Sequence, residues 1–95
     1  MNVHDAIYNW LTIKVVTDAR PEDEAATETE EMFLQMLKSD HGINEIQYEK
    51  ADLFYHVSYL DNEESKSTKY PIELIEVMLK QILAEPEKYK NFPTT

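Results

Sequence analysis

Apolar residues recur at helical spacing over residues 71–84. There Ile72, Leu74, Ile75, Met78, Leu79, Ile82 and Leu83 fill an arc of roughly 180° at about 100° per residue. Glu73, Glu76, Lys80 and Ala84 form a narrow stripe opposite. A surface helix needs an apolar stripe only somewhat wider than about 100°, so this segment is expected to touch more than one neighbour and to hold the fold together. Pro71 suits its first position, where the missing N–H would be unpaired anyway. Pro86 is expected to stop it, residues 86–93 to add one further turn that folds Tyr89 and Phe92 back on the core, and residues 93–95 to fray.

Two helices are expected before it. Over residues 2–17, Val3, Ala6, Ile7, Tyr8, Trp10, Leu11, Ile13 and Val15 share one broad arc, with Asp5, Asn9 and Thr12 opposite. Either Asn2 or Asp5 can cap this helix by accepting from an orphan N–H of its first turn. Lys14 falls inside the apolar arc and is expected to lay its stem along the core with its ammonium in water. A strand over residues 11–17 is the alternative, because that stretch is rich in β-branched side chains. Arg20 precedes Pro21 and is pushed away from helical geometry, and Pro21 opens the next helix. Over residues 21–37, Ala25, Ala26, Thr29, Met32, Phe33, Met36 and Leu37 lie on one arc, while Glu24, Glu28, Glu31, Gln35 and Lys38 face away. Gly42 is placed to close this helix in the left-handed conformation.

From residue 43 the period changes to two. Ile46 and Tyr48, then Leu53, Tyr55, Val57 and Tyr59, alternate with Glu45, Gln47, Glu49, His56 and Ser58, which reads as strands. Residues 49–52 form the expected first turn, residues 61–64 the second, and residues 65–70 a polar edge strand carrying Lys66 and Lys69. A helical reading of residues 43–60 competes, since Ile43, Ile46, Leu53, Phe54, Val57 and Leu60 also obey helical spacing. The expected fold is therefore α+β in one domain over residues 1–95. Its order is two helices, an antiparallel meander of two or three strands, then an amphipathic helix. An all-α bundle is the alternative. The helices would cover one face of the sheet and leave the other wet or paired with a second copy.

Composition narrows the function classes. With six Tyr, three Phe and one Trp, the 95-residue chain is too aromatic for intrinsic disorder. No apolar run approaches the roughly 18 residues of a membrane span, and the N-terminus lacks the pattern of a signal peptide. The chain has no cysteine, which removes thiolate chemistry and suits the cytoplasm. Its single glycine excludes phosphate loops and dinucleotide fingerprints, which need several at fixed spacing. The net charge of −10 is concentrated. Residues 18–31 hold seven acids against Arg20 alone, so six of the ten net charges fall within fourteen residues. Such a surface repels nucleic acid and anionic lipid, and it selects a basic protein partner or serves solubility.

Candidate chemistry is sparse. His4, His41 and His56 are far apart in sequence and make no metal-ligand spacing, so neither a metal nor another cofactor is expected. No serine sits in a nucleophile elbow. Carboxylate pairs such as Glu30 with Glu31 lie in charged, wet stretches, where burial does not raise a pKa for acid catalysis. The aromatic group Tyr48, Phe54, Tyr55, Tyr59 and Tyr70 has too few basic neighbours to stack nucleic-acid bases. The expectation is a non-enzymatic protein–protein interaction or regulatory module of bacterial or phage type. Its acidic face of Glu24, Glu28 and Glu31 would meet a protein partner, with homodimerisation as a second mode of association. Two alternatives remain: a small metal-dependent or hydrolytic enzyme using His41 or His56 with nearby carboxylates, and an acidic nucleic-acid mimic that blocks a DNA-binding partner.

Overall fold

The computed structural model describes residues 2–84, with side-chain surroundings through residue 81. Helix α1 runs Val3–Ala19, and the side chain of Asn2 accepts from the Asp5 N–H at 2.8 Å to cap it. No strand forms over residues 11–17. Lys14 is half-buried and reaches Asp18 one turn on, at 3.3 Å. Helix α2 runs Glu24–His41. It starts three residues later than Pro21 suggested, because Asp23 makes the better cap: its carboxylate accepts from the Ala26 N–H at 3.0 Å. Gly42 ends α2 at φ +67°. The left-handed backbone there favours glycine, and a Cβ would in addition push aside the Asn62 side chain, whose amide oxygen would lie 2.6 Å away.

Strands β1 (Ile43–Ala51), β2 (Phe54–Asp61) and β3 (Glu64–Pro71) form an antiparallel sheet in the order β1-β2-β3, and the helical reading of residues 43–60 falls. The first hairpin turns later than the pattern suggested. Ala51 pairs with Phe54, which leaves Asp52 and Leu53 as the loop and Leu53 76% exposed rather than on the buried face. The second turn falls where expected, with Asp61 paired to Glu64 around Asn62 and Glu63. Both loop residues there have positive φ, as the hairpin-favouring type I′ turn requires. One bulge interrupts β1 between Asn44 and Gln47, where Glu45 takes φ +51°.

Tyr55, Val57 and Tyr59 point into the core, while His56 and Ser58 point out on the opposite face. Helix α1 lies across the inner face. At its start the His4 carbonyl accepts from the Tyr70 hydroxyl on β3, and at its end Asp18 accepts from the Tyr48 hydroxyl on β1. Ala6, Ile7, Trp10, Leu11 and Val15 are buried with Leu37, Ile43, Val57 and Ile75 in one core. Helix α2 packs along α1 and touches β1.

The expected C-terminal helix is two pieces, α3 (Ile72–Ile75) and α4 (Val77–Ala84). Glu76 stands between them at φ −90°, ψ 7°, although its N–H still donates to the Ile72 carbonyl and its carbonyl still accepts from Lys80. Ile75 is fully buried and Leu79 half-buried, but Leu74, Val77 and Met78 face solvent. Among the described residues the central position expected of residues 71–84 is held by α1, which meets the sheet, α2 and the α3–α4 pair. Its buried residues, Val16 included, extend the expected arc and let the helix meet several neighbours at once. The side chains of Ile82 and Leu83, the turn proposed for residues 86–93 with Tyr89 and Phe92, and the fraying of residues 93–95 lie outside the described residues.

Candidate functional site

The acidic face is built by the periodicity of α2. Ala26, Glu30, Phe33 and Leu37 recur at helical spacing and turn toward α1 and the core. Glu24, Glu28 and Glu31 then fall on the opposite side, all three exposed, with Gln35 and Lys38 continuing the face. None of the three carboxylates forms an ion pair among the described residues. Carboxylates near the start of α2 are also favoured by its dipole. The buried stripe is turned relative to the sequence pattern: Met32 is 56% exposed, whereas Glu30, expected in a wet stretch, is only 8% exposed. The reason is Trp10, whose indole Nε1–H donates to the Glu30 carboxylate at 2.8 Å. A buried indole needs an acceptor. Glu30 sits four residues after Ala26 and three before Phe33, so its spacing was a visible signal that it shares their face.

The histidines do not converge. His41 occupies the last turn of α2, where an imidazole complements the helix dipole, and His56 stands at the middle of β2 on the sheet face opposite α1. Across the strands His56 is level with Glu49 on β1 and Lys69 on β3, and its ring meets Phe54 edge-on at 6.3 Å. The Lys69 ammonium lies 4.4 Å from the centre of the Phe54 ring. Beside them is an open depression of ≈ 300 Å³ whose lining includes Gln47, Tyr48, Glu49, His56, Val57 and Ser67. A second, of ≈ 180 Å³, adjoins it near Glu45 and Ser65. Both are open, and the carboxylates that line them, Glu49 and Glu45, are exposed. No group of three or more metal-ligating side chains converges among the described residues.

A second buried carboxylate besides Glu30, expected on the polar stripe of residues 71–84, lies at the joint between α3 and α4. The Glu76 carboxylate, 8% exposed, accepts from the Tyr55 hydroxyl and from Lys50 Nζ at 2.9 Å. Tyr48 packs edge-on against Tyr55 at 5.7 Å and against Trp10 at 6.3 Å, with its hydroxyl on Asp18. Burial pushes the Tyr48 hydroxyl pKa up, as do the hydrogen bond to Asp18 and the charge of Asp18. Tyr55 is raised likewise, first by burial and then by its bond to Glu76. For Glu76 burial pulls upward, but the hydrogen bonds from Tyr55 and Lys50 and the charges of Lys50 and Lys80 outweigh it, so the net direction is down. An acid–base catalyst near neutral pH needs the reverse, a raised carboxyl or a lowered hydroxyl. These pairs clasp α1 and the α3–α4 joint to the sheet.

No helix among the described residues is long and apolar enough to cross a membrane. No protein family, no curated protein and no solved structure matches the chain.

Proposed function

We propose that this chain is a small cytoplasmic interaction or regulatory module, without catalytic activity, whose α2 face meets a basic surface on a protein partner. The observation that carries the reading is the exposed, unpaired ribbon of Glu24, Glu28 and Glu31, backed by a helix fixed at both ends. Charges so placed favour fast encounter and partner choice over raw affinity. The reading in which an acidic helix imitates a nucleic-acid backbone uses the same ribbon, and a captured partner that releases DNA on binding would specify it. Self-association is a separate mode, which the acidic face does not require.

The test compares three baits in capture from an extract of the source cell. They are the wild-type chain, the Glu24→Lys/Glu28→Lys/Glu31→Lys variant, and a Glu45→Lys/Glu49→Lys/Glu63→Lys variant with the same change in net charge. The expected result is a partner recovered by the first and third baits, lost from the second, and released by raising salt, since exposed charges are screened beyond about 8 Å at physiological ionic strength. Equal recovery by all three baits overturns the proposal.

A further inference from the structure

The two edges of the sheet differ. Strand β1 is interrupted by its bulge and touches α2, whereas β3 pairs with β2 without irregularity from Glu64 to Pro71. Ladder parity decides which backbone groups of β3 face outward. In a two-residue hairpin the flanking pair exchanges both hydrogen bonds, and bonded and non-bonded pairs then alternate. From Asp61 with Glu64, the bonded pairs pass through Tyr59 with Lys66, Val57 with Thr68, and Tyr55 with Tyr70. Ser65, Ser67 and Lys69 therefore turn their N–H and C=O groups away from β2. No other backbone bond engages them among the described residues.

Lysines on an edge strand normally guard it against pairing. Here both are drawn back over β2. Lys66 bonds Asp61 at 3.0 Å and lies 3.9 Å from Glu64, and Lys69 sits over the Phe54 ring. Among the described residues the edge itself is left open.

We infer that β3 is the docking edge for a second copy of this chain, the two β3 strands pairing antiparallel about a two-fold axis through Ser67. In this register Ser67 faces its own counterpart and Ser65 faces the counterpart of Lys69, so all three outward-facing residues form bonded pairs. On the helix-covered face Lys66 meets Thr68 and Glu64 meets Tyr70, and no like charges stand directly opposite. A slip of two residues one way sets Lys66 against itself, which is destabilising. The same slip the other way sets Ser65 against Pro71, which has no N–H to give. Charge placement agrees. Strand β3 carries Lys66 and Lys69 against Glu64, a net positive element in a chain of net charge −10, and the acidic α2 lies at the β1 margin, away from the seam. The pairing uses none of Glu24, Glu28 or Glu31, so it stands or falls independently of the proposed partner.

Because the chain has no cysteine, one introduced thiol reports one interface. A bonded antiparallel pair has a Cα separation of about 5.5 Å, within disulfide reach. Under mild oxidation Ser67→Cys is expected to form a linked dimer about a hundredfold faster than Ser58→Cys, which is exposed on the same face one strand inward; the paired thiols meet at an effective concentration far above bulk. Light scattering on the wild-type chain is expected to show a concentration-dependent dimer. Ser67→Pro, which removes the donor on the axis and breaks no internal bond, should abolish it with the circular dichroism unchanged; if that variant fails to fold, the thiol comparison decides alone. A wild-type chain monomeric at every concentration overturns the inference, and that is also the result if the edge serves a strand of another protein. So does a dimer in which Ser67→Cys links no faster than Ser58→Cys.

Discussion

Glu76 ties three elements together through one carboxylate. It is buried at the joint between α3 and α4 and receives a hydroxyl from β2 and an ammonium from β1. Replacing it with Ala leaves the Tyr55 hydroxyl without an acceptor, which costs about 1–3 kcal/mol. Its ionisation adds a pH signature. Folding favours the charged form, since the carboxyl is held below its ordinary value. The contribution is therefore fully present above the unfolded pKa of about 4.3 and is lost as pH falls below it toward the folded value. Urea unfolding across a series of acidic pH values should show wild-type stability declining more steeply than that of Glu76→Gln, which cannot titrate. Parallel slopes would show that Glu76 is not favoured as the anion in the folded chain.

At the scale of elements, the α3–α4 pair separates residues that one apolar arc would have grouped together. Ile75 is fully buried, so Ile75→Ala should cost about 2–5 kcal/mol, read from the denaturation midpoint at constant slope. Leu74 is 48% exposed, and Leu74→Ala should stay within about 0.5 kcal/mol. The α+β order, both N-terminal helices, the Gly42 stop, the second hairpin and the outward Glu24, Glu28 and Glu31 were all legible, because each follows from local periodicity or local turn chemistry. What was hidden depends on distant partners. Glu76 became a buried joint because Tyr55 and Lys50 meet it there, and Glu30 turned inward because Trp10 needs an acceptor. The first hairpin was misplaced for another reason. Asp52 takes positive φ without a glycine to announce it, and Leu53 reads as a strand residue while sitting in the loop.

For the whole molecule, a net charge of −10 on 95 residues sets the electrostatic background of the folded state. Self-repulsion between exposed carboxylates opposes compaction, and added salt screens it. The thermal midpoint should rise by several degrees from low to physiological ionic strength, 1 kcal/mol corresponding to about 4–8 °C in a domain of this size. A flat or falling midpoint would place the dominant charge interactions in the attractive pairs, such as Lys50 with Glu76. The layering also equips the chain with an optical gauge. Trp10 is the one indole present, 2% exposed, wedged between a carboxylate on α2 and an aromatic ring on β1. Its emission therefore reports the seam where the helical layer closes on the sheet, and it will shift only when that seam opens. Of the five tyrosines among the described residues four are on the strands, and they give an absorbance signal weighted toward the sheet. Two colours of light thus distinguish a chain that has lost its helices' grip from one whose strands have come apart.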